Sequence, residues 1–325
     1  MAKSTAQQLD LLACPDVAGP LPAVSFDEPA SLADVLRYDR VVVAFSGGKD
    51  SVALVLFLLD LGVPRDRIEL WHHDVDGREG SGLMDWPSTR DYCRRFAEAF
   101  GLTLFFSWRV GGIEAEMYRD NAPTGAVCFE TPEGETVRVG GDSTSLGTRF
   151  KWPAKSANLA VRWCSSVAKI DVMARAITNQ DRFLDSRTLV LTGERAEESS
   201  ARAKYKTFEP HRTDNRNGKR VRRYVDHWRP IHGWPEWKVW EMFERHRVRP
   251  AAPYLLGFSR LSCMICVFLH PDQWAMVRAI DPARFQRIQA IEQEFDHTID
   301  NRLSVVEMAD KGTVPADLDL SLIHI

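Results

Sequence analysis

Val41-Val42-Val43-Ala44-Phe45-Ser46-Gly47-Gly48-Lys49-Asp50-Ser51 decides the reading of this chain: an apolar run ends in a glycine turn, and the turn opens into a second apolar run, Val52-Ala53-Leu54-Val55-Leu56. The pattern predicts a buried strand, a tight turn and a helix. Paired glycines let the backbone bend sharply and aim successive N–H groups at one anion. A helix N-terminus adds the positive end of its dipole, and Lys49 adds a mobile charge, so the turn is suited to phosphate. The spacing is not that of the common phosphate loop, G-x-x-x-x-G-K-[ST]. The competing reading is a solvated glycine turn between strand and helix.

Length and composition narrow the class. The 325 residues suffice for one large α/β domain or two modest ones, with 44% hydrophobic and 27% charged residues. A formal charge of −3 argues against a protein that coats nucleic acid by charge alone. No apolar stretch has the length of a membrane span and Met1-Ala2-Lys3-Ser4 leads into no signal core, so the expectation is a cytoplasmic protein without a membrane partner. Six cysteines in such a chain point to metal binding or catalysis before disulfides. The last residues, Leu320-Ser321-Leu322-Ile323-His324-Ile325, read as translated sequencing adapter, with the natural protein continuing past about Asp319.

Residues 1–38 contain several prolines and read as an arm with a short helix near its end. Strand-like runs follow at Val41–Phe45, Ile68–His73, Leu102–Trp108 and Thr188–Thr192, with helical patterns at Ser51–Leu61, Ser88–Phe100 and Ser165–Thr178. This alternation predicts an α/β fold: a doubly wound, Rossmann-like parallel sheet over residues 39–235, with ligands at the carboxyl ends of its strands. Residues 121–160 break the rhythm and read as an insertion, a lid or flap with a hairpin at Phe129–Val139. Residues 236–319 read as a helical, cysteine-bearing C-terminal part.

The turn resembles the SGGxDS loop of the PP-loop ATP pyrophosphatases, which grip the pyrophosphate of ATP and leave the α-phosphorus open to attack. Three further segments match one family in order: Arg162-Trp163-Cys164 before a helix with Lys169, Thr192–Arg202, and Gly257–Cys266. With the loop, they resemble the phosphoadenosine phosphosulfate reductase family over about residues 40–270. Within it they look closest to the branch that includes the sulfur-incorporating protein of DNA phosphorothioation and phage relatives. The resemblance implies a nucleotide site of Ser46, Gly47, Gly48, Lys49, Asp50, Ser51, Asp76, Gly77, Gly193, Arg195, Glu198 and Arg202. It implies catalysis by Lys49, Asp50, Ser51 and Arg195, with ATP and Mg²⁺ bound. The residues agree in type: Gly193 permits close backbone approach, Arg195 and Arg202 suit bidentate pairing with phosphate, and Glu198 suits orienting an arginine. A surface salt-bridge cluster is the alternative for this segment. The tandem His72-His73 is a poor metal pair, since strand period sends the two rings to opposite faces.

Cys164 with Cys263-x-x-Cys266 supplies three soft sulfur ligands, suited to a [4Fe-4S] cluster or to Zn²⁺. The iron–sulfur reductases carry adjacent cysteines at the first position, whereas Ser165 follows Cys164 here. His270 completes a zinc-type set, or one iron stays open, as resemblance to three-cysteine tRNA thiolases implies. Buried packing cysteines are the alternative. The basic run from Arg202 to Arg223, interleaved with Tyr205, Phe208, Tyr224 and Trp228, suits either a nucleic-acid acceptor or a loop folding over a small nucleotide. The expected activity is ATP-dependent adenylylation of an acceptor, a nucleic acid or small molecule, for sulfur transfer from a donor such as a cysteine desulfurase. Reduction of a phosphosulfate nucleotide is the second expectation, and a non-catalytic nucleotide-binding partner the third.

Overall fold

The computed structural model describes residues 27–316 except 81 and 262, together with 318 and 321. Most of the N-terminal arm and most of residues 317–325, including all of the adapter-like tail but residue 321, therefore lie outside the described residues. Eight strands form one sheet: β1 (Arg40–Ala44), β2 (Ile68–Asp74), β3 (Thr103–Arg109), β4 (Val127–Glu130), β5 (Thr136–Val139), β6 (Arg187–Leu191), β7 (Phe208–Pro210) and β8 (Tyr224–Trp228). Their order is β5-β4-β3-β2-β1-β6-β8-β7. Strands β3, β2, β1, β6 and β8 run parallel, and β4, β5 and β7 add antiparallel edges. Strand β1 lies at the centre, with Val41 opposite Ile68 of β2 and Leu189 of β6. Its unbroken run of valines fits burial on both faces, as a parallel strand under helices requires.

Eleven helices complete the described chain: α1 (Leu32–Val35), α2 (Lys49–Asp60), α3 (Thr89–Phe100), α4 (Gly112–Met117), α5 (Trp163–Ser165), α6 (Asp171–Thr178), α7 (Glu236–His246), α8 (Ala252–Leu255), α9 (Pro271–Ile280), α10 (Pro282–Phe295) and α11 (Val305–Asp310). Helices α2, α3 and α7 cover one face, where Val41, Val43, Leu54, Phe96 and Phe243 share a core. Helix α6 covers the other, packing Val172 and Ile177 onto Val42, Trp71 and Val190. Each large side chain so buried contributes about 1.5–3 kcal/mol. A third core joins Val75, Trp152 and Trp163 to α9, α10 and α11. The expected α/β, doubly wound, Rossmann-like arrangement is present, as a mixed sheet with a parallel centre.

Three details differ from the sequence reading. The 121–160 segment is no free flap: β4 hydrogen-bonds to β3, so the expected hairpin extends the sheet, and Trp152 anchors the rest at 1% exposure. The basic run contains a parallel strand, β8, whose Tyr224, Val225 and Trp228 are buried. Within that run the connection from β7 to β8 lies at the amino end of β8, across the sheet from Ser46–Ser51. It does not fold over a nucleotide there.

Candidate nucleotide site

The chain turns back at β1. From β1 it steps outward through β2 and β3, then returns to place β6 on the other side, so β1 and β6 flank the topological switch point where α/β sheets bind ligands. Ser46–Ser51 leaves β1 on one side of this crevice and Gly193–Glu198 leaves β6 on the other. Gly47 has φ +74°, a left-handed conformation that glycine adopts without strain. Gly48 caps α2, so Lys49 and Asp50 occupy its first turn. The hydroxyls lock the bend: Ser46 Oγ accepts the Gly48 N–H at 3.3 Å, and Ser51 Oγ donates to the Gly48 carbonyl at 2.9 Å. The expected strand-turn-helix is thus built.

Gly193 touches the loop from the β6 side. A Cβ there would stand 3.0 Å from the Asp50 carbonyl and 3.2 Å from the Ser51 nitrogen. Arg195, expected to clamp phosphate, is turned inward instead. Its guanidinium donates to Asp50 at 2.5 Å, to Glu197 at 2.7 Å and to the Trp234 carbonyl at 3.1 Å, from a side chain 2% exposed. Its position is fixed by carboxylates, so it acts on the loop through Asp50. Glu198 accepts the Arg195 backbone N–H at 2.9 Å and pairs with Arg202.

Lys49 is also held. Its ammonium donates to the Ser259 carbonyl at 3.2 Å and lies 3.6 Å from both Asp50 and Glu236. Asp76, expected beside ribose, receives the N–H groups of Met84 and Asp85 at 2.8 Å and ties down the 77–86 loop. Burial nevertheless raises its carboxyl pKa. Gly77, with φ +69°, lets the chain pass the Arg109 carbonyl, which a Cβ would meet at 2.8 Å. Both residues are therefore engaged in loop structure. His72 and His73 diverge as the strand period requires: His72 Nδ1 lies 3.0 Å from the Phe45 carbonyl, and His73 Nδ1 lies 2.7 Å from Ser107 Oγ.

Cys164, Cys263 and Cys266 pack against the third core and influence one another electrostatically. Burial pushes the Cys164 and Cys263 thiols up, and Lys169 opposes this. That lysine sits on a π-helical turn, Ser166–Ile170, between α5 and α6. Its charge also opposes protonation of His72 and His73, so it lies within electrostatic reach of the end of β2 as well as of the thiols. His270 is elsewhere engaged: its side chain is 72% exposed and its Nδ1 lies 3.2 Å from Asp272 at the head of α9. Among the described residues no group of three or more His, Cys, Asp or Glu side chains takes up a metal-holding arrangement. The thiols gather in an apolar cluster without closing into the expected ligand set.

The basic run is buried at Arg216 and exposed at Lys204 and Lys206. Arg216 pairs with Asp214 and Asp226, and Arg229 with Glu194 and Glu209. Arg212, Lys219 and Arg220 remain exposed. Sequence reasoning missed Tyr254, Ser259 and Glu236, which meet Lys49 across about two hundred positions; no local pattern signals such contacts.

A protein of Escherichia phage 186, named an uncharacterized 37.8 kDa protein, is 26% identical over 262 residues, covering 78% of this chain and 74% of its own. The phosphoadenylyl-sulfate reductase of Candida auris, solved as a phosphate complex, aligns at TM-score 0.39 and 16% identity over 70% of this chain and 83% of its own. The U34-tRNA thiolase NcsA of Methanococcus maripaludis, solved with its [4Fe-4S] cluster, aligns at TM-score 0.34 and 12% identity over 85% and 82%. The model of the phosphoadenosine phosphosulfate reductase domain matches residues 143–268, the segment that carries Cys164, Gly193–Arg202 and Cys263–Cys266.

Proposed function

We propose that the chain binds ATP at Ser46–Ser51 and transfers its adenylyl group to an acceptor, releasing pyrophosphate. The observation that carries this reading is the complete Ser-Gly-Gly-Lys-Asp-Ser turn at the switch point, with the Lys49 amide and ammonium at one mouth. An acceptor oxygen attacks the α-phosphorus, the bond to the bridging oxygen breaks, and pyrophosphate leaves with that electron pair. Backbone N–H groups of the loop, Lys49 and Ser51 stabilise the departing charge, while Arg195 holds Asp50 and hence the first turn of α2 in register. Mg²⁺, when bound, neutralises phosphate charge.

The acceptor is a nucleic acid or small molecule that next takes sulfur from a donor such as a cysteine desulfurase, as in the phosphorothioation branch. Cys164, Cys263 and Cys266 are the groups at which an iron–sulfur cluster or zinc is to be sought. The setting is cytoplasmic; among the described residues no helix is long and apolar enough to cross a membrane. Reduction of a phosphosulfate nucleotide is the second reading, favoured by the domain match on residues 143–268. Anaerobically purified protein assayed for pyrophosphate from ATP and for sulfite from a phosphosulfate nucleotide separates the two. Nucleotide binding with neither product identifies a non-catalytic partner.

A further inference from the structure

Residues 253–261 pack against the phosphate loop, beside Tyr92 and Cys93 of α3. Tyr254, on α8, accepts the Lys49 backbone N–H through its hydroxyl at 2.9 Å, and the hydroxyl stands 3.3 Å from where a Cβ of Gly48 would be. The Lys49 ammonium donates to the Ser259 carbonyl and lies 5.8 Å from the centre of the Tyr254 ring. Leu261, 1% exposed, reaches within 3.2 Å of a Cβ position on Gly47 and 3.8 Å of one on Gly48. The amide and the ammonium that a pyrophosphate requires are thus both occupied by residues 253–261.

We propose that this segment is a plug, seated by the Tyr254 hydroxyl where a phosphoryl oxygen binds, and that a nucleoside triphosphate enters by displacing it. The proposal rests on reading Ser46–Ser51 as the triphosphate site. The exchange is feasible because a phosphoryl oxygen carries a negative charge that the Tyr254 hydroxyl and the Ser259 carbonyl lack, so the bonds it accepts from the Lys49 amide and ammonium are the stronger ones. Gly257 provides the pivot: its φ is +92°, and a Cβ there would meet only a Met276 methyl, at 3.9 Å.

Tyr254→Phe deletes the hydroxyl and keeps the ring. Calorimetric titration with inorganic pyrophosphate and with α,β-methylene ATP should show binding about three- to tenfold tighter in the variant, the value of one net hydrogen bond. AMP, which does not reach the loop, should bind both proteins equally. In the wild-type protein, hydrogen exchange across residues 253–261 should quicken when α,β-methylene ATP binds. Equal or weaker triphosphate binding by the variant, or unchanged exchange in the liganded protein, overturns the plug. If neither protein binds triphosphate or pyrophosphate, the reading of the site itself fails. The plug, which rests on that reading, then fails with it, whereas triphosphate binding that is equal or weaker in the variant overturns the plug alone.

Discussion

Arg195 donates its Nε–H to Oδ1 of Asp50 at 2.5 Å, joining the end of β6 to the first turn of α2 across the switch point of the sheet. Breaking a buried pair by removing one partner leaves the other uncompensated. Arg195→Met should therefore lower unfolding free energy by about 3 kcal/mol, measured by urea denaturation. Arg195→Lys keeps the charge but not the fork, and should recover only part of the loss.

Gly193 presses on the same turn from the other side. Gly193→Ala would set a methyl 3.0 Å from the Asp50 carbonyl, so the phosphate loop must move by a few tenths of an ångström. Misplacement on that scale should cut kcat/KM for pyrophosphate release more than about tenfold, with a smaller change in thermal stability than Arg195→Met gives. Equal losses in both variants would assign Gly193 to packing alone.

Asp85 supplies a pH test. Burial, then the neighbouring Asp76 carboxylate, raises its pKa to about 7. The folded protein therefore binds a proton between the ordinary carboxylate range and about pH 7 that the unfolded chain has released, and this contribution to stability is lost as pH rises through that window. Asp85→Asn imitates the protonated form. Its stability relative to wild type should be greater at pH 8 than at pH 4 by more than about 1 kcal/mol, and a pH-independent difference would contradict the assignment. His72 has the opposite sign: burial lowers its pKa to about 4, so its contribution is lost as pH falls from 6.5 toward 4.

The thiol cluster makes a distinct prediction about ligands. Cys263→Ser should reduce iron or zinc per chain in anaerobically purified protein, whereas His270→Ala should not, because His270 faces Asp272 at the surface. Metal loss in His270→Ala would restore the four-ligand set that the sequence suggested.

What the sequence disclosed follows from the range of the forces involved. Val41–Phe45 and Ser46–Ser51 are legible because a buried parallel strand and a glycine turn impose local patterns. Strand β8 was hidden because His227 and Asp226 interrupt its apolar pattern inside a basic stretch; Asp226 is paired to Arg216, so burial does not require apolar residues there. Arg195 was recognisable as a cation of the site, but its partner, Asp50, lies 145 positions away. Tyr254 was silent for the same reason, being 205 positions from Lys49. Pairings of this kind are fixed by the assembled tertiary fold and have no periodic signature.

Pyrophosphate release from ATP by wild-type protein and by Lys49→Gln is the most direct measurement. The wild-type enzyme should release pyrophosphate in an acceptor-dependent reaction, and the variant, folded to the same extent, should be slower by about a hundredfold or more, the effect of removing one preorganised charge from a departing anion. Equal rates in the two proteins, or sulfite formed from a phosphosulfate nucleotide with no ATP consumed, would contradict the assignment of Lys49 to the pyrophosphate of ATP.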